Sequence, residues 1–216
     1  MLVDYFKEYG LDTKNIDKYE RYKKLILDYN QHTNLTRITE DDEFNVKHFL
    51  DCLSLLKTGK FSGSEKIIDI GTGAGFPGLP LKLYNERLDV TLLDSLRKRI
   101  DFLDGVIEGL GLENIRAIHA RAEEIARTDE YREQFDLAVS RAVANLSTLT
   151  EYAMGFVKVG GYFISQKGPE YKEEIKNAKR AIEVMGGEVE DVIHTPLPND
   201  IHHYIIMIKK VKATDK

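Results

Sequence analysis

The residues best suited to chemistry in this chain surround one glycine-rich run, Ile67-Ile68-Asp69-Ile70-Gly71-Thr72-Gly73-Ala74-Gly75-Phe76-Pro77-Gly78. Glycines at the end of a strand let the backbone turn sharply and approach a ligand with no Cβ in the way. Gly73, Gly75 and Gly78 satisfy the spacing of a dinucleotide loop. Asp69 argues against a dinucleotide, because a carboxylate there repels a pyrophosphate and suits a cofactor bearing an ammonium group; its plainer role is an acceptor that fixes the loop. Asp94 closes Val90-Thr91-Leu92-Leu93, and an acid at that strand tip accepts hydrogen bonds from ribose hydroxyls or caps the helix that follows. Ala120-Arg121-Ala122-Glu123-Glu124 follows the third strand, where such folds meet an adenine ring, though it also reads as a surface helix start. Arg141, after the fourth strand, offers a fork of donors for a carboxylate, a phosphate or O6 of guanine, or else a structural ion pair. Lys167, at the tip of the fifth, suits a phosphate or is simply solvated.

These groups need a scaffold, and the hydrophobic pattern supplies it. Ile67–Ile70, Val90–Leu93, Ile115–His119, Leu137–Ser140 and Tyr162–Gln166 read as strands separated by helix-like segments, which predicts a parallel sheet covered on both faces. Val189–His194 and Tyr204–Lys210 are joined by Thr195-Pro196-Leu197-Pro198-Asn199-Asp200, too short for a crossover helix, and should pair antiparallel. Ahead of the sheet, Ile16, Tyr19, Tyr22, Ile26 and Tyr29 recur at helical spacing. Thr39 with Asp42 forms a capping-box pattern before Phe44, Phe49, Leu53 and Leu56, which predicts a second amphipathic helix. The stretch from Gln31 to Arg37 between them reads as a structured loop. Phe61-Ser62-Gly63-Ser64-Glu65 marks a boundary, giving a helical extension over 1–60 and an α/β domain over 61–216.

Composition narrows the function classes. The chain has 216 residues, 42% hydrophobic and 31% charged, with a net charge of −5, which argues against a general nucleic-acid coat and leaves room for one local RNA-binding face. No apolar run is long enough for a membrane span, and Met1–Gly10 lacks the pattern of a signal peptide, so a cytoplasmic location is expected. Cys52 is the single cysteine and lies in an apolar run, which reads as a buried thiol. His202 and His203 lack partners at ligand-like spacing, so no metal is expected.

A more specific resemblance emerges from several motifs together. Asn34-Leu35-Thr36, His48-Phe49-Leu50-Asp51, Asp69-Ile70-Gly71-Thr72-Gly73-Ala74-Gly75-Phe76-Pro77-Gly78, Leu93-Asp94-Ser95 with Lys98-Arg99, Ser140-Arg141-Ala142 and Lys167-Gly168 resemble the RsmG (GidB) family over nearly the whole chain. That family methylates N7 of a guanine in bacterial small-subunit (16S) ribosomal RNA. The resemblance implies a doubly wound, mostly parallel seven-stranded sheet of the class I S-adenosylmethionine (SAM)-dependent methyltransferases, with S-adenosylhomocysteine as product. It implies that Gly71, Phe76, Asp94, Ser95, Leu96, Ala122, Glu123 and Arg141 contact SAM, beside the Asp69, Gly73 and Gly75 of the loop. It also places Asn34 and His48, with Thr36 and Arg37, on an RNA-facing rim, to which Lys98, Arg99, Arg121 and Lys167 add positive charge. The partner is 16S ribosomal RNA within the small subunit or an assembly intermediate, met by a monomer. Cys52 departs from the serine expected there and touches none of these roles.

Guanine N7 carries an available lone pair, so its methylation needs no deprotonation, and the rate should come from positioning and charge arrangement by Arg141, Lys167 and His48. Cys52 is not after the fourth strand, where a 5-methylcytosine enzyme keeps its nucleophile, and no Asn-Pro-Pro-Tyr-like segment for an exocyclic amine is present. The competing readings are a small-molecule SAM methyltransferase lidded by the N-terminal helices, an NAD-dependent oxidoreductase, and a silent RNA-binding protein.

Overall fold

The computed structural model describes residues 1–141 and 144–214, so Ala142 of the Ser140-Arg141-Ala142 motif lies outside the described residues. Seven strands form one sheet: β1 (Lys66–Ile70), β2 (Asp89–Asp94), β3 (Ile115–His119), β4 (Phe135–Arg141), β5 (Val157–Lys167), β6 (Gly187–Leu197) and β7 (Ile201–Lys210). Their order is β3-β2-β1-β4-β5-β7-β6. The first five run parallel, and β7 inserts antiparallel between β5 and β6, as the short Pro-rich connection predicts. The chain leaves β1 toward one edge and returns at β4 on β1's other side, so a crevice opens at the C-terminal ends of the strands where the direction reverses.

Every predicted strand is present, and the largest change is at β5, which spans eleven residues because Gly160 and Gly161 continue the strand instead of breaking it. A Cβ on Gly161 would stand 2.4 Å from the Asp136 carbonyl oxygen, so only glycine allows this approach to β4. Alternate residues of the central strands feed two apolar layers. Ile67, Val90, Leu92, Leu137 and Val139 face one, with α5 (Gly78–Tyr84) and α6 (Arg97–Leu110). Ile68, Ile70, Leu93, Ala138 and Phe163 face the other, with α8 (Leu146–Met154) and α9 (Tyr171–Val184).

The N-terminal residues join the first layer. Leu2 and Phe6 of α1 (Leu2–Glu8) and Tyr19, Tyr22 and Ile26 of α2 (Ile16–Asn30) are buried in the same cluster as the sheet residues. The capping box of Thr39 and Asp42 does not form, because Glu40 takes the N-cap place of α3 (Asp41–Phe44) with no side-chain cap; Asp41 beside it bonds Lys23 Nζ at 2.7 Å and Asn45 Nδ2 at 3.2 Å. Nor is the segment a surface amphipathic helix. It passes through a π-helical turn (Asn45–Leu50), α4 (Asp51–Leu53) and a 3-10 turn (Ser54–Thr58), and every residue from Phe44 to Leu55 except Lys47 is buried. A segment enclosed on all sides carries no solvent face for period 3.6 to mark, and π turns of this kind concentrate at functional sites.

Tyr22 couples this extension to the glycine loop, its hydroxyl donating to the Ala74 carbonyl at 2.5 Å. Gly75 has φ +108°, and a Cβ there would meet Tyr22 Oη at 2.6 Å and Leu79 Cδ1 at 2.8 Å. Gly59 has φ +68° with open space around it. Gly75→Ala is therefore expected to destabilise the fold by about 2–4 kcal/mol and Gly59→Ala by only about 1 kcal/mol, as read from urea unfolding midpoints.

Candidate active site

The crevice is a cavity of about 560 Å³ lined by the glycine loop, the tips of β1 and β2, the start of α7 (Ala122–Ile125), Arg141 and the segment around Thr36 and His48. Of the residues singled out in the sequence, Gly71, Gly73, Phe76, Asp94, Ser95, Ala122, Glu123, Arg141, Thr36, His48, Arg99 and Arg121 line it. Asp69 and Gly75 lie behind the loop, fully buried and packed on Tyr22 respectively. Leu96 is 44% exposed at the start of α6, and Asn34, Arg37 and Lys98 are exposed away from the cavity wall. The turn at Leu35 and Thr36 is fixed by Asn30, which accepts from Leu35 N (2.8 Å) and Thr36 N (3.1 Å) and donates to the Thr36 carbonyl (2.9 Å).

The loop turns on left-handed glycines, Gly71 at φ +68° and Gly73 at +62°. Asp69 serves the loop from beneath: Oδ2 accepts from Thr72 Oγ1 at 2.7 Å and from Gly78 N at 2.8 Å, and burial pushes its carboxyl up to about 7. It acts as a loop-fixing acceptor through Oδ2, while Oδ1 is buried without a hydrogen-bond partner among the described residues. A Cβ on Gly78 would lie 2.6 Å from Leu92 Cδ2 and 2.9 Å from Asp69 Oδ2. Gly75 and Gly78 thus serve packing, and the dinucleotide spacing they complete with Gly73 is not a phosphate cradle. Asp94 faces the cavity, with Oδ2 accepting from Gly73 N (2.9 Å) and Arg99 (3.0 Å) and Oδ1 accepting from Leu96 N (2.9 Å). Oδ1 thus holds the turn ahead of α6, whose N-cap position is Leu96 with no side-chain cap, and it has a second lone pair beside the cavity.

Arg141 organises the inner wall. Its Nη1 donates to the Lys47 carbonyl (2.8 Å) and to Asp51 Oδ2 (3.1 Å), its Nη2 donates to His48 Nδ1 (3.0 Å), and its guanidinium lies 4.9 Å from the Phe76 ring centre. The ion pair expected as its plain alternative is therefore present, with Asp51 as partner. A guanidinium only donates, so His48 Nδ1 must accept and the ring carries its proton on Nε2. Nε2–H then donates to Thr36 Oγ1 at 2.9 Å, and the ring stacks on Phe76 at 4.4 Å. Burial, followed by the neighbouring Arg141 charge, pushes His48 down to about 3.

A second cavity of about 710 Å³ shares His48 and Arg141 with the first and is lined further by Lys47, Asp51, Gln166, Lys167, Glu174 and His203. Lys167 is not a solvated cation: it donates to the Ala144 carbonyl and pairs with Glu174, both at 2.7 Å, and is only 6% exposed. Sequence reasoning assigned no role to Asp51, Gln166 and His203. Asp51 is 2% exposed and binds His203 Nδ1 at 2.6 Å, Gln166 Nε2 at 3.2 Å and Arg141, partners between 90 and 152 residues away. Its place in the His48-Phe49-Leu50-Asp51 motif was the available signal. Among the described residues no group of three or more His, Cys, Asp or Glu could hold a metal, and no helix is long and apolar enough to cross a membrane.

This sheet, with its glycine loop and ribose-level acid, defines a class I SAM-dependent methyltransferase. Solved structures agree on the fold: a SAM-dependent methyltransferase from Aquifex aeolicus superposes with a TM-score of 0.54 at 20% identity over 73% of this chain and 89% of its own. TYW2 of M. jannaschii in complex with AdoMet gives 0.57 at 18% identity over 74% and 77%. The family model described as rRNA small subunit methyltransferase G (GidB) matches residues 15–201, and the chain belongs to that family. Ribosomal RNA small subunit methyltransferase G of Thermoanaerobacter pseudethanolicus is 51% identical over 98% of this chain and 89% of its own length. The Clostridium tetani protein of the same name is 48% identical over 95% and 86%.

The His48 environment gives a pH signature. An unfolded histidine titrates near 6.5, while the folded ring refuses a proton until about pH 3, so this residue's contribution to stability is full above pH 6.5 and is lost as pH falls toward 3. Asp69 works in the opposite sense, because the native chain holds its proton between the ordinary carboxylate range and about pH 7. His48→Gln leaves Asp69 in place and should reduce the loss of unfolding free energy between pH 7 and pH 5 by about 2 kcal/mol relative to the unsubstituted chain, measured by urea titration at each pH.

Proposed function

We propose that this chain transfers the methyl group of SAM to N7 of a guanine in 16S ribosomal RNA, acting as a cytoplasmic monomer on the small ribosomal subunit or an assembly intermediate. The observation that carries the choice of acceptor is the lone-pair inventory at the inner wall. His48 Nδ1 is filled by Arg141, and both Asp51 oxygens hold donors. With its Nε2–H turned to Thr36, His48 has no nitrogen free to remove a proton, and a nucleophile that arrives with its lone pair available needs none removed.

The residues present fit SAM. Backbone freed of Cβ at Gly71 and Gly73 would approach the amino acid portion, Asp94 with Ser95 and Leu96 would hold the ribose, and Ala122 with Glu123 would border the adenine. When bound, SAM supplies an electrophilic methyl on a sulfonium, transferred in line to an acceptor opposite the sulfur. Phe76, His48 and Arg141 form a stacked, hydrogen-bonded wall that would exclude water and orient the acceptor. In this reading residues 1–60 supply the RNA-facing wall and residues 61–216 the cofactor side. Arg37, Lys98 and Arg121 are exposed and supply local positive charge, with Arg99 nearby. Since the chain as a whole is negative, affinity for naked RNA should be weak and salt-sensitive, with a preformed ribosomal particle preferred.

The chain with labelled SAM and small subunits from cells lacking it should yield N7-methylguanosine in nuclease digests read by mass spectrometry, faster than with protein-free transcript. Methyl on another atom, or binding of NAD in place of SAM in calorimetric titration, would overturn the assignment. Arg141→Lys cannot reproduce the fork to Lys47, Asp51 and His48, and it should lower kcat/KM for the particle by about 100-fold.

A further inference from the structure

The Thr36 hydroxyl has an unusual hydrogen-bond balance. A threonine Oγ1 has two lone pairs and one proton, and it ordinarily donates or accepts as a ligand requires. Here Ile38 N donates to it at 3.1 Å, and His48 Nε2 lies at 2.9 Å. The histidine nitrogen has no choice of role, because Arg141 donates to the opposite ring nitrogen at 3.0 Å and so leaves the proton on Nε2. Both Thr36 lone pairs are therefore filled by donors, and its proton has no acceptor within reach among the described residues. Thr36 is half-buried and lines the cofactor cavity on the same side as His48, Phe76 and Arg141. Two Asn30 bonds hold its backbone N–H and carbonyl, and the donors from Ile38 N and His48 Nε2 hold its hydroxyl oxygen in place.

We infer that Thr36 is an obligate hydrogen-bond donor to the acceptor base, reading the 6-oxo group beside N7 and so selecting guanine over adenine. The inference rests on the proposed function and deepens it. N7 and the 6-substituent share one edge of a purine, so a group that aligns the first meets the second. Guanine presents an acceptor there, whereas adenine presents an amino group whose N–H would point at a hydroxyl with no lone pair left. Fixed donors discriminate strongly, because the wrong base leaves them buried and unpaired. The Arg141–His48 pair acts through Thr36 in this scheme: it sets the direction of the hydroxyl.

The test uses small subunits reconstituted with ligated 16S RNA carrying guanine or 2-aminopurine, which keeps N7 and lacks the 6-oxo group, at the methylated position. The unsubstituted enzyme should prefer guanine by about 10- to 100-fold in kcat/KM. Thr36→Val should reduce this preference to within about threefold, by slowing the guanine reaction alone, while Thr36→Ser, which restores the hydroxyl, should retain it. Calorimetric affinity for S-adenosylhomocysteine should stay within about threefold in both variants. Thr36→Val and Thr36→Ser preferences equal to that of the unsubstituted enzyme would overturn the inference, as would an equal loss on both bases or a matching loss of S-adenosylhomocysteine affinity. Absence of N7-methylguanosine with the unsubstituted enzyme would overturn the functional reading itself and this inference with it.

Discussion

A guanidinium that cannot lose its proton is buried at the end of β4, and much of the surrounding structure exists to satisfy it. Arg141 is only 15% exposed on its side chain, and a cation withdrawn from water is costly unless its donors find partners. Asp51 supplies the countercharge, the Lys47 carbonyl a further acceptor, His48 a third, and the Phe76 ring a face. Three of these partners lie within the helical run between Lys47 and Asp51, and its π turn sets a carbonyl, an imidazole and a carboxylate around one group.

The same pairing explains why the N-terminal extension is part of the site. Helix α2 fixes the glycine loop through Tyr22 and the Ala74 carbonyl, while the following segment supplies the partners of Arg141. The cofactor cavity is consequently bounded on one side by the sheet and on the other by residues that precede it in the chain. Packing binds the two together, since the buried residues of α1 and α2 belong to one apolar layer with β1, β2 and β4.

Local patterns in the sequence made the scaffold readable. All seven strands follow from β-branched runs, and the glycine loop and Asp94 follow from their position at strand tips, because these features depend on neighbours in sequence. What escaped depends on partners far away. Lys167 reads as a free cation until α9 brings Glu174 to it, and His203 reads as unpaired until β7 sets it against Asp51, 152 residues earlier. Asp69 suggests a ligand because carboxylates in such loops often face one, and only the three-dimensional turn shows Thr72 and Gly78 claiming its oxygen. The capping box failed because α3 starts one residue later than Thr39 requires, with Glu40 in the N-cap place.

Charge balance joins these observations. In methyl transfer from a sulfonium to a neutral nitrogen, one positive charge moves from sulfur to the acceptor, and none is created. A site with a bare cation beside the acceptor would oppose that movement, at a cost that grows as water is excluded. Arg141, shared by the two cavities, and Lys167, on the second, are each paired with a carboxylate, Asp51 at 3.1 Å and Glu174 at 2.7 Å. Ion pairs that look merely structural on a contact map thereby keep the acceptor side close to neutral. In the proposed reaction, donors there would orient a base without a net field against the charge it receives.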